Sequence, residues 1–121
     1  MRPAVLRFSS SGELLADEGC FILELLNTLD DETISVARAR VVPNVTTKLH
    51  RLVGIDERYL ITDGVGEVEI GDTTKQTVRS GDIVLIPKGT SQRITNMGDT
   101  DLSFLCICTP RFDLAAYQAL E

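Results

Sequence analysis

The chain reads as a single all-β domain, a barrel or sandwich of short strands followed by a short C-terminal helix. Three observations lead there. Short runs with alternating or continuous apolar character recur along most of its 121 residues, as expected for an all-β architecture. Gly and Asp punctuate those runs at Gly54, Asp63-Gly64, Gly71-Asp72 and Gly81-Asp82, residues that supply the backbone conformations tight turns need. Helical spacing appears in one place, residues 114–120.

The elements follow in order. Residues 20–27 are mostly apolar and form a strand, with a turn over 28–32. Residues 34–42 alternate, placing Arg38 and Arg40 on one face and Ala37, Ala39 and Val41 on the other. That pattern makes the two arginines the solvated face of the strand; an anionic ligand would meet them only if their face lined the cavity. Pro43 and Asn44 break the ladder. Strands over 48–53 and 58–62 are separated by a turn at 54–56. Turns at 63–64 and 71–72 bracket a strand over 67–70. Strands over 76–79, 83–86, 91–95 and 102–108 complete the set, with turns at 80–82, 87–89 and 96–99. Asp113 caps the terminal helix, which lays its leucines on the outside of the barrel.

Bulk properties narrow the function. The length suits one domain with its own core. No run of 18 apolar residues exists, so no membrane-spanning helix is expected. The first eight residues lack the apolar stretch of a signal peptide, and a cytoplasmic location is the default. Net charge is −6, from 12 basic and 18 acidic residues without any basic cluster; a nucleic-acid binder is not expected. Three cysteines make no disulfide framework. Cys106 and Cys108 share a strand face and cannot easily bridge each other, and Cys20 is free to approach either. Buried free thiols are the expectation for all three.

Two spaced patterns carry more specific information. Gly81, five residues, Pro87, one residue, Gly89, two residues, Gln92, three residues and Asn96 form the second. The first runs Asn44, five residues, His50, one residue, Leu52, four residues, Glu57, six residues and Gly64. In this order and spacing they resemble the two motifs of the cupin superfamily, over roughly residues 41–112. The resemblance implies a double-stranded β-helix of jelly-roll type. The departures fall on the family's metal-ligand positions: Leu52 and Gln92 stand where histidines are usual, and Asn44 stands at the first glycine. His50 is the chain's one histidine.

By analogy with the family, the face shared by Lys48, His50 and Leu52 looks into the barrel, with Glu57 and Tyr59 on the next strand and Gln92 and Asn96 on another. Arg51, Arg58 and Arg93 then cover the outside. Two chemistries follow. His50, Glu57 and Gln92 offer nitrogen and oxygen donors for a divalent metal (Zn, Fe, Mn or Ni), which would polarise a substrate oxygen as in isomerases or dioxygenases. Alternatively no cofactor is needed: His50 acts as general acid/base oriented by Glu57, with Tyr59 as acid and Lys48 holding a substrate anion, in a dehydratase or epimerase reaction. A third class is a non-catalytic ligand-binding or sensing module. The partners expected are a small molecule and a second copy of the chain in a homodimer, with no nucleic acid or membrane. Against each of these stands a plain reading of a satisfied His50–Glu57 ion pair and a core tyrosine.

Overall fold

The computed structural model describes residues 1–121, which form two antiparallel sheets facing each other. The strands are β1 (Leu14–Leu15), β2 (Phe21–Leu26), β3 (Ser35–Val41), β4 (His50–Leu52), β5 (Asp56–Asp63), β6 (Val65–Ile70), β7 (Gln76–Arg79), β8 (Ile83–Ile86), β9 (Gln92–Asn96), β10 (Leu102–Thr109) and β11 (Tyr117–Ala119). One sheet has the order β1-β2-β3-β10-β5-β8 and the other β11-β4-β9-β6-β7. This is the double-stranded β-helix expected from the motifs. No helix is long and apolar enough to cross a membrane.

Period-two alternation explains what each strand buries. Along β5, Glu57, Tyr59 and Ile61 are buried while Arg58 and Leu60 are not; along β9, Gln92, Ile94 and Asn96 turn inward. The core is the inward set of both sheets, with Val41, Ile61, Ile94, Leu102 and Phe104 almost completely buried. Each such side chain contributes about 1.5–3 kcal/mol of transfer free energy, so the core residues dominate stability. Asn96 ties the sheets together. Its Nδ2 donates to the Val41 carbonyl on β3 and the Thr100 carbonyl, both at 2.8 Å, and its Oδ1 accepts the Gly98 amide at 2.9 Å. A buried amide with its bonds satisfied is a latch between strands, and this motif residue is structural.

Two backbone positions need their residue type. Asn44 has φ +68, a left-handed conformation that asparagine adopts more readily than most residues; it stands in for the glycine usual there. Gly64 has φ +86, and a Cβ would lie 2.8 Å from the Asp101 carbonyl oxygen. No other residue fits at that corner without backbone movement.

The C-terminal segment differs from the expectation of a helix over 114–120. Only Leu114–Ala116 coil, as one 3-10 turn, with the Asp113 carboxylate accepting the Ala115 amide at 3.0 Å. The chain then extends as β11 and pairs with β4, placing Tyr117 opposite Leu52 and Ala119 opposite His50. A seven-residue helix is marginal on its own, whereas the free edge of β4 offers a ladder of hydrogen bonds; the tertiary pairing wins. Arg38 and Arg40 lie on the outer face as the alternation implied, clamped by Glu13, with Arg40 also reaching Asp101 at 3.0 Å.

Candidate functional site

Between the sheets lies a cavity of about 880 Å³, walled mostly by apolar side chains and framed at its mouth by the N-terminal segment. His50 enters it from β4 and is 5% exposed. Its Nδ1 lies 2.8 Å from the Lys48 carbonyl oxygen. A carbonyl can only accept, so Nδ1 carries the proton and Nε2 is the basic atom, with no hydrogen bond to the protein. The ring also stacks on Tyr117, centroids 5.1 Å apart. The terminal strand, unread in the sequence because its residues looked helical, therefore fixes the imidazole plane.

Glu57 enters from β5 and is 8% exposed. Its one hydrogen-bond partner is the Cys108 thiol, at 3.7 Å, a weak donor. Burial pushes the carboxyl up to about 7; the nearby Gln92 amide and Cys108 thiol offset this in part, and Glu18 adds to it. No ion pair or hydrogen bond joins Glu57 to His50, so the satisfied pair envisaged from the sequence does not form, and the Lys48 carbonyl takes the orienting role expected of Glu57.

Tyr59, beside Glu57 on the same face, is 4% exposed and packs against Phe104 with centroids 4.4 Å apart. Its hydroxyl donates to Gln92 Oε1. Burial, followed by the charge of Glu57, holds the phenol well above its usual range. Gln92, opposite His50 in the register, is completely buried, and its Nε2 has no partner. Tyr59→Phe is expected to destabilise the fold by about 1–2 kcal/mol, because the Gln92 oxygen is left buried and unpaired; urea unfolding of the two proteins checks this.

Lys48 stands apart from this set. Its side chain is exposed and outside the cavity wall. β4 begins only at His50, so strand alternation does not extend back to Lys48; Thr47 takes the buried place instead, bonded to the backbone of Ile94. Cys20, Cys106 and Cys108 are free and line the cavity. Burial pushes all three thiols up, which keeps them protonated. Asp17, Glu18 and Glu24 also lie along the cavity; they belong to no motif, so nothing in the sequence marks them as site residues.

The donor set decides how well a divalent ion fits. His50 Nε2 and the Glu57 carboxyl are suitable donors. The third, Gln92 Oε1, already accepts the Tyr59 hydroxyl, and the atom left unpartnered is its nitrogen, which cannot ligate. Leu52 puts hydrocarbon at the remaining motif position. No three His, Cys, Asp or Glu side chains converge at metal-holding range. As arranged, these residues do not fit a resident metal centre, which needs three or more protein donors.

The model of the Cupin domain matches residues 37–108. The chain belongs to the cupin family. This cupin is 32% identical over 109 residues to an uncharacterized protein of Methanocaldococcus jannaschii, a match covering 88% of this chain and 86% of that protein. Among solved structures it is similar to a predicted oxalate decarboxylase of Thermotoga maritima, at 27% identity and TM-score 0.68, covering 75% of this chain and 80% of that one. It is also similar to KdgF from Halomonas sp., at 16% identity and TM-score 0.74, covering 85% and 91%; that likeness concerns the fold of the cupin barrel alone.

Proposed function

We propose that the barrel cavity is a small-molecule site in which His50 and Glu57 move protons on the bound ligand. The observation that carries this reading is Glu57, a carboxyl in an apolar wall whose burial pushes it up to about 7, where it can hold or release a proton at neutral pH. His50 Nε2 accepts a proton from one atom of the ligand, and the protonated Glu57 gives one to another. The ligand is then isomerised with no net change in protons, and the histidinium returns its proton to the carboxylate through solvent. Tyr59 positions Gln92 beside Glu57, and Lys48 contributes its carbonyl to the tautomer of His50.

A metal at His50, Glu57 and Gln92 is the rival reading. One observation favours it: an imidazole held through Nδ1 by a carbonyl is also how metal-ligating histidines are held. Elemental analysis of the purified protein separates the two, since the proton-transfer reading predicts far less than one Zn, Fe, Mn or Ni per chain. Stoichiometric metal that vanishes in His50→Ala overturns it. The homodimer expected from the sequence is supported by edge strand β8, whose Ile83 and Leu85 are 63% and 68% exposed.

The direct test is a fragment screen read by amide chemical shifts. Ligands should move the resonances of Thr47, Cys106 and Phe104 around the cavity, and His50→Ala, folded by circular dichroism, should weaken them at least about tenfold. Unchanged binding by that variant would sink the assignment of His50.

A further inference from the structure

The polar atoms turned into the cavity include few strong donors. His50 presents Nε2, an acceptor, because its proton sits on Nδ1 against the Lys48 carbonyl. Tyr59 has spent its hydroxyl proton on Gln92 and has only lone pairs to offer. Glu57 has a carboxyl oxygen free of any protein donor, its other oxygen facing the Cys108 thiol. Thr47 donates to the Ile94 carbonyl. His50 thus offers an acceptor and Glu57 either an acceptor or, when protonated, a donor, both while more than nine-tenths buried, and the one unpartnered amide donor beside them, Gln92 Nε2, is fully enclosed.

Charge along the cavity has the same bias. Three carboxylates line it, Asp17, Glu18 and Glu24, beside the buried Glu57 carboxyl, against one permanently charged cation, Arg7 at the mouth. Glu24, on β2 opposite Ala37, lies on the cavity side at an exposed position, and partial burial pushes its carboxyl up against some relief from Asn27, so a positive charge nearby would relieve a cost already present. The two arginines that could have balanced these carboxylates, Arg38 and Arg40, lie on the other face of β3 and are engaged by Glu13.

Aromatic rings complete the pattern. Of the chain's four Phe and two Tyr, Tyr59, Phe104, Phe112 and Tyr117 line this one cavity, and Phe8 at its mouth is already faced by the Arg38 guanidinium. Ring faces attract cations, and carboxylates around an apolar, aromatic chamber are the recognition chemistry of organic ammonium groups. An anion would meet like charges and unpaired acceptors instead, which is a desolvation penalty without return.

We infer that the cavity selects a small organic cation, an ammonium or amidinium group carried on an apolar body, with the charged end near Glu18 and Glu24 and donor hydrogens directed at His50 and Glu57. This rests on the small-molecule site proposed above and names its ligand class. The cavity holds far more than a bare inorganic ion, so the apolar body is part of the recognition.

Three probes with the same ring and different charge test it: benzylammonium, benzyl alcohol and benzoate. Binding is followed by amide chemical shifts of the full-length protein at low salt, where charge selection is least screened. Benzylammonium should bind at least about tenfold more tightly than benzoate, with benzyl alcohol between them. Glu18→Gln/Glu24→Gln, exposed enough to leave the core intact, should erase most of that preference while leaving benzyl alcohol binding unchanged. If benzoate binds as well as or better than benzylammonium, or if the double variant keeps the full preference, the charge selection is wrong though the cavity site stands. If none of the three perturbs the residues around His50, the ligand class and the site itself both fall.

Discussion

Glu57→Gln is expected to make the protein more stable at pH 8 while changing little at pH 5. The carboxyl is buried on β5 and its affinity for protons is raised from the ordinary value of 4.5 to about 7, first by burial, against partial relief from Gln92 and Cys108. Below about pH 4.5 the group is neutral in both folded and unfolded chains and costs nothing. Between there and pH 7 the unfolded chain loses its proton while the folded one keeps it, so the native state binds more protons and stability falls as pH rises. The loss is complete above pH 7 and amounts to about 3 kcal/mol. Glutamine cannot ionise and escapes that loss, so the advantage of the variant should grow by about 2–3 kcal/mol from pH 5 to pH 8.

The groups that bear on Glu57 are Glu18, Tyr59, Cys106 and Cys108, with Gln92 and His50 across the interior. None of the raised thiols or the raised phenol changes charge over that range. Glu13 and Glu69 are held below the ordinary carboxylate range by Arg40 and Arg93; they act in the opposite sense, only at lower pH, and cancel between the two proteins. Urea unfolding of both at the two pH values measures the difference. Equal stability of the pair at pH 8 would show that Glu57 is not a destabilised buried acid. The same variant should lose ligand binding, which is the exchange of stability for function expected at a site.

Phe104→Ala is expected to cost about 3–5 kcal/mol, the range for removing a fully buried aromatic ring. Phe104 is 2% exposed on β10, at the centre of the six-stranded sheet, and its ring carries Tyr59. A domain of this size has only about 5–15 kcal/mol to lose, so the variant should melt well below the parent. It should also loosen the Tyr59–Gln92 contact, seen as changed amide shifts at Gln92 under conditions where the variant is still folded. A cost below about 1 kcal/mol would mean that the space is refilled by neighbours and that the two sheets are not packed as described.

Much of this was legible in the residues. Strands over 76–79 and 83–86 match β7 and β8 to the residue, because turn residues bound them on both sides. Motif spacing placed His50, Glu57 and Gln92 around one interior. Lys48 was misplaced because alternation was carried back past the first paired residue of β4, where the ladder does not exist. Residues 114–120 were misread because their spacing suits a helix and nothing local reveals that β4 has an edge to fill. β1, two residues long, is too short to leave a pattern. Asp17, Glu18 and Glu24 along the cavity come from 14–26, a region without motif residues, and only the fold brings them to the same cavity as His50.

The proton-transfer site requires that Glu57 hold its proton up to neutrality inside the barrel, and one measurement addresses this directly. A pH titration of the Glu57 side-chain carboxyl carbon, followed by NMR with Glu57→Gln to assign the signal, is predicted to give a midpoint near 7, as burial at this position requires. A midpoint in the ordinary range around 4.5 would contradict the proton-transfer site, since Glu57 would then be a permanent carboxylate with no proton to give.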